Sequence, residues 1–269
     1  MENFKLTPFK YREIIPKISK NEKYIKNVDE TKFLSGYPLN KFWTFDFIET
    51  ISNYLDFDSI KTILDLGSRD GHQSVEFRTW FPEARIIAFE ANPNQISYMR
   101  EITKQHNIEI VDKAVGNYNG NTKFFISNAN IGASSLLKTN DHFRSKEWHQ
   151  YEINVEMIRV DDWCKKNNVN EIDILWIDVQ GAEKIVIEGL GDYLLNVKAI
   201  CTEVEIEHMY HDSVLKDELD SILENYGFIN VATFHMCPEK NLTYEYLKKY
   251  QGEVDVIYVN KKFIKNELN

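Results

Sequence analysis

Residues 62–74 read TILDLGSRDGHQS: an apolar run, TILDL, then DLGSRDG at 65–71, then a stretch able to start a helix. A glycine directly after a strand lets the backbone turn tightly and lets a ligand approach without meeting a Cβ. The N-terminus of the following helix adds unpaired N–H donors. Taken alone, the pattern is explained as well by a plain strand-to-helix corner. The dinucleotide fingerprint wants G-x-G-x-x-G, and here Gly67 and Gly71 stand four apart, so a nicotinamide enzyme is disfavoured.

The next two strand ends favour a bound cofactor. Glu90 closes the following strand inside AFEANP, 19 residues after Gly71. An acidic side chain there points into the crevice at the sheet's switch point, where it can accept both hydroxyls of an unphosphorylated ribose. Asp112 and Lys113, in VDKAVG, end the third strand, where an adenine ring would lie.

Outward from this stretch, strand-length apolar runs alternate with helix-length amphipathic ones, which predicts βα units and a mainly parallel sheet. The candidate strands are 62–66, 85–90, 108–115, 173–179, 198–205, 228–234 and 254–259. Helices are expected near 73–80, 94–105, 182–190 and 213–226, the last closed by Gly227. Residues 117–160 break the rhythm, and two extra strands, TKFFIS and YEINVEMIRV, bracket a polar loop at 127–150 that reads as a lid or substrate loop. Residues 1–58 read as a helical N-terminal extension or cap, with Phe45, Ile48, Ile51 and Leu55 at helical spacing; its aromatic residues, Tyr37, Phe42 and Trp43 among them, could dimerise or cover the site. Residues 59–269 form the α/β domain.

At 269 residues the chain needs no second complete domain. Its 43% hydrophobic and 28% charged residues are ordinary globular usage. The net charge of −10 argues against a nucleic-acid surface. No window is apolar enough for a membrane span and the start lacks a signal-peptide core, so a cytoplasmic protein is expected. Cys164, Cys201 and Cys237 are too widely spaced for a disulfide framework or a paired zinc site, and read as free thiols.

With these residues in place the sequence resembles the FkbM-type family of class I S-adenosylmethionine-dependent methyltransferases. The resemblance rests on DLGSRDG, FEANP, VDKAVG, GASSLL and, most specifically, LWIDVQGAEKIVIEGLG, and covers about residues 60–260. It departs at Arg69, where many methyltransferases have glycine, and at Gln180, which replaces the usual glutamate. The resemblance implies a Rossmann-like fold, a doubly wound seven-stranded sheet that is mostly parallel with one antiparallel strand. It implies S-adenosylmethionine as cofactor and S-adenosylhomocysteine as product. Gly67, Ser68 and Gly71 would surround the methionine part, with Asp65 orienting the turn and Arg69 and Asp70 within the same cofactor-binding stretch; Glu90 would hold the ribose, with Ala91 beside it, and Asp112, Lys113 and Ala114 would border the adenine. Ser134 would border the cofactor or acceptor, or else cap a turn.

Methyl transfer to a hydroxyl needs positioning and a proton acceptor. Asp178, at the end of a central strand, reads either as the base or as a cap for the next helix. Glu183 reads as a helix-start carboxylate. Alternation puts Glu203, Glu205 and Glu207 on one face of the fifth strand, with His208 and His211 beyond; Glu205 and His208 join Asp178 as catalytic candidates. No metal is expected, since the H-x-x-H spacing is common on surfaces. His235 and Cys237 read as packing. The favoured function is O-methylation of a small or carbohydrate-type acceptor. An RNA 2′-O-methyltransferase and a catalytically silent binding module are the alternatives.

Overall fold

The computed structural model describes residues 43–127, 130–140, 149–234 and 252–265. Seven strands form the main sheet: β1 (Thr62–Leu66), β2 (Arg85–Phe89), β3 (Glu109–Val111), β7 (Ile172–Ile177), β8 (Val197–Glu205), β9 (Phe228–Phe234) and β10 (Glu253–Asn260). Their order is β3-β2-β1-β7-β8-β10-β9. β10 runs antiparallel between β8 and β9, and the β3-β2-β1-β7-β8 ladders are parallel. This is a doubly wound sheet, mostly parallel with one antiparallel strand as the resemblance implies, and its strand order turns back between β1 and β7, which opens a crevice at the C-terminal ends of those strands.

Strands β1, β2, β7 and β8 are buried along nearly their whole length, as a parallel sheet covered on both faces requires. Alternation divides their side chains between two cores. Leu64, Leu66, Ile87, Phe89, Leu175 and Ile177 pack with Val186 and Leu190 of α5 (Glu183–Leu190) on one face. On the other, Ile63, Ile86 and Ile174 pack with Phe77 and Trp80 of α2 (His72–Trp80) and with Phe47 and Ile51 of α1 (Phe45–Ile51). The remaining helices are α3 (Pro93–Thr103), α4 (Val160–Lys166) and α6 (Lys216–Asn225).

Within the described residues, the extension is therefore joined to the domain. Ile48, Ile51 and Leu55 are buried as their spacing predicts. The Thr44 N–H and hydroxyl both donate to Glu76 Oε2 at 2.9 Å, and the Trp80 indole N–H donates to the Thr44 hydroxyl at 3.0 Å. Residues 1–42, with Tyr37 and Phe42, lie outside the described residues, as do His235 and Cys237. Cys164 and Cys201 are buried free thiols.

One expected strand is two. The run 108–115 breaks at Asp112, where the Lys113 N–H donates back to the Val111 carbonyl at 3.0 Å, a three-residue turn that redirects the chain. β3 stays in the main sheet. β4 (Ala114–Gly116) leaves it to pair with β6 (Gln150–Arg159), which pairs in turn with β5 (Gly120–Ser127) in a second, three-stranded sheet. The inserted hairpin is thus present, and it buries Phe124 and Ile126.

Candidate functional site

The crevice holds a cavity of about 360 Å³, lined on one side by the turns after β1, β2 and β3 and on the other by the ends of β7, β8 and β10. The first side is built around Gly67. Its φ is +84°, and a Cβ there would lie 1.9 Å from the Asp178 carbonyl oxygen, so the turn closes only on glycine. The Gly67 and Ser68 N–H groups donate to the Phe89 carbonyl at 3.0 and 2.9 Å. Asp65 lies beneath and does not line the cavity; its Oδ2 accepts from the Ser68 and Ser74 hydroxyls at 2.6 Å each. Burial pushes its carboxyl up to about 6. Asp65 and Ser68 hold the turn's shape rather than its ligand.

Arg69 adopts φ +51°, the left-handed region that favours glycine, which accounts for glycine being common at this point of the motif. Its N–H donates to Glu90 Oε2 at 2.7 Å, and its side chain, 44% exposed, lies on the cavity wall beside Gly132. Asp70 does not line the cavity: it accepts the His72 N–H at 3.2 Å and the Arg69 Nε–H at 3.3 Å and pairs with the His72 ring at 2.8 Å. Gly71, at φ +82°, begins α2.

Glu90 is buried on the cavity wall, with Oε1 accepting from the Asn92 N–H at 2.6 Å. Burial pushes its carboxyl up to about 7. When ionised, its two oxygens offer about four lone-pair sites, of which three are engaged by the N–H groups of Arg69, Ala91 and Asn92; capacity is left for a hydroxyl. Ala91, Lys113, Ala114 and Val115 continue the wall, and Phe124 closes it. Ser134 also lines it, and its hydroxyl accepts the Ser127 N–H at 3.2 Å, a tie to β5 rather than a cap of the turn after Gly132. The Lys113 ammonium pairs with Glu156 of β6. Asp112 is a correction. The turn at Asp112 sends its carboxylate outward, 58% exposed, onto Arg100 at 3.2 Å and away from the cavity.

The opposite side is acidic. Asp178, half-buried at the end of β7, accepts from Gln180 Nε2 at 2.8 Å; the same Nε2 reaches Glu203 Oε2 at 2.8 Å. Burial raises the pKa of both carboxyls, that of Glu203 strongly. Glu253 and Asp255 of β10 join them, and Trp43 and Trp176 supply aromatic faces. The cap reading of Asp178 is not what the structure shows, because α5 has no side-chain cap and the Gly181 N–H at its start goes to Glu183 Oε1 at 3.1 Å. Glu183 is buried and its carboxyl is pushed up to about 8, chiefly by that burial.

Two catalytic candidates are displaced. β8 ends at Glu205 and the chain turns off into a loop, which Glu205 fastens by accepting the Met209 N–H at 2.7 Å and the Ser213 hydroxyl at 2.5 Å. His208 is exposed on that loop, its ring 3.0 Å from the Ser213 hydroxyl. Neither lines the cavity, so the alternation argument holds for Glu203 and fails beyond it. Among the described residues, no three His, Cys, Asp or Glu side chains are grouped to hold a metal. The sequence reading noted Gln180 only as a departure and missed Glu253 and Asp255. The antiparallel run of β10 carries its N-terminal end, with its two alternating acids, to the sheet edge where the parallel strands finish, and that direction was the available signal.

The turn at Gly67, the buried Glu90 and the wall at Lys113–Val115 fit the methionine, ribose and adenine parts of S-adenosylmethionine. The Methyltransferase FkbM domain family matches residues 65–229. The chain belongs to the FkbM methyltransferase family. Among its relatives is the 2-O-methyltransferase NoeI of Sinorhizobium fredii, 31% identical over 157 residues, which covers 55% of this chain and 65% of that protein. Methyltransferase 1 of Beauveria bassiana is 25% identical over 161 residues, 54% of this chain and 65% of its own length. The chain thus spans a little under two thirds of the length of these curated relatives. A crystal structure of methyltransferase FkbM from Methylobacillus flagellatus aligns with 74% of this chain and 43% of that one, at 9% identity and a TM-score of 0.48.

Proposed function

We propose that this FkbM-family chain is a cytoplasmic S-adenosylmethionine-dependent O-methyltransferase acting on a hydroxyl of a small or carbohydrate-type acceptor, such as a sugar of a polysaccharide or natural product. The observation that carries the reading is the two-sided cavity at the switch point, with Glu90 and the Gly67 turn facing Asp178 and Glu203. The printed activity of NoeI, a 2-O-methyltransferase, supports oxygen as the methylated atom.

When bound, the cofactor supplies an electrophilic methyl carried on sulfonium sulfur. Glu90 would receive the ribose hydroxyls, and the Gly67 turn would let the methionine chain pass close to backbone. Asp178 would hold the acceptor hydroxyl and take its proton. Trp43 and Trp176 offer faces against which the apolar face of a sugar ring can lie. A net charge of −10 and the carboxylate-lined wall disfavour a phosphate-rich acceptor.

The test is methyl-labelled S-adenosylmethionine incubated with neutral glycosides, glycan fractions and RNA. Alkali-stable label on a glycan or glycoside, as an ether requires, is the expected result. Label confined to RNA, or released by alkali as from an ester, overturns it.

A further inference from the structure

Four carboxylates share one wall of the cavity: Asp178 beyond β7, Glu203 on β8, and Glu253 and Asp255 on β10. Asp255 stands opposite Glu203 in the antiparallel ladder. Gln180 Nε2 donates to Asp178 Oδ1 and to Glu203 Oε2, each at 2.8 Å, so both its hydrogens are spent inside the pair. The Tyr210 hydroxyl donates to Gln180 Oε1 at 3.2 Å, which sets which end of the amide faces the acids. Gln180 itself sits at φ +55°, a conformation that the surrounding structure must hold.

Resting on the methyl-donor reading above, we propose that Asp178 and Glu203 share a proton while the cavity holds no cation, and release it when the sulfonium-bearing donor enters. The base is then armed only in the donor-loaded protein. Two acids bridged by one amide in a half-buried wall, with two further carboxylates beside them, cannot both ionise cheaply. Burial and the neighbouring Glu253 and Asp255 act in the same direction on Glu203. The other groups that face the pair are Asp65 below the β1 turn, Glu183 at the start of α5, the neutral buried thiol of Cys201, and Arg69. Arg69 is the cation acting on Asp178 in the opposite sense, and an arriving positive charge adds to it.

S-adenosylmethionine and S-adenosylhomocysteine share adenine, ribose and ammonium and differ in the sulfonium charge. Comparing them cancels whatever Glu90 does on meeting the ribose. The experiment is calorimetric titration of the full chain with each ligand near pH 7, in phosphate and in Tris, whose different ionisation enthalpies report the protons exchanged. The methyl donor is expected to release more protons than the product, the difference tending to about one per site. Asp178→Asn should abolish that difference while the product still binds. Equal proton counts for the two ligands in the unaltered chain overturn the proposal, with no variant needed. Binding of neither ligand overturns the donor reading and this proposal together.

Discussion

The side of the cavity proposed for the methyl donor takes Gly67, Arg69, Glu90 and Lys113–Val115 from three successive strand ends within about 50 residues, whereas the side proposed for the acceptor gathers Asp178, Gln180, Glu203, Glu253 and Asp255, residues up to 77 apart. The donor side is made largely of backbone: two left-handed glycines, a left-handed arginine and N–H groups that hold one carboxylate. The acceptor side is made of side chains, four acids and one amide. A site made of backbone turns tolerates few residues at its turns and so leaves a local pattern. A side-chain site depends on which strand ends the topology brings together.

That contrast can be broken at both ends. The largest effect is expected from Asp178→Asn, which keeps the shape of the wall and removes the proton acceptor: methyl transfer should fall by about 10²–10⁴-fold, with S-adenosylhomocysteine affinity retained. Transfer at the original rate would move the base elsewhere, with Glu203 the next residue to replace. Gly67→Ala acts on the other side. The new Cβ meets the Asp178 carbonyl oxygen and takes a positive φ, so unfolding in urea should show a loss of about 2–5 kcal/mol; an unchanged midpoint contradicts the close approach of β1 and β7.

A smaller effect belongs to pH. Burial raises Asp65 to about 6, Glu76 and Glu90 to about 7, and Glu183 to about 8. The folded protein therefore keeps protons that the unfolded chain gives up near the ordinary carboxylate range. Their stabilising contribution is complete at acid pH and is lost as pH rises through the folded values, so Tm should decline from about pH 5 to 8. Glu183→Gln should flatten that decline, and a Tm that rises over the interval refutes the sign. The smallest effect is expected from Gly132→Ala, where a Cβ meets only ordinary contacts from Asn130 and Arg69. Its stability should change by less than about 0.5 kcal/mol, which would show that glycine is required at Gly67 and not merely common around the cavity.

Most of the architecture was legible because the period of the apolar runs and their buried lengths agree: TILDL, RIIAF and IDILWI are strands, and the hairpin between 117 and 160 was expected. The Gly67 turn and the place of Glu90 at the end of β2 were legible for the reason just given. The exceptions are residues whose side chain a tertiary bend redirects. Asp112 sits at a three-residue turn that no spacing rule announces, and it points to solvent. Glu205 continues the alternation of β8 in sequence, but the strand ends there and its carboxylate ties down the next loop. Gln180 looks like a departure from a motif, and becomes intelligible only when Asp178 and Glu203 are seen on either side of its amide.

The central claim is that the side at Gly67 and Glu90 holds a methyl donor by its ribose. Calorimetric titration of S-adenosylhomocysteine into the unaltered chain and into Glu90→Ala tests it most directly. The account predicts one-to-one binding that weakens by about 1.5–3 kcal/mol in the variant, with both proteins folded. Equal affinities, or no binding to the folded unaltered chain, would contradict it.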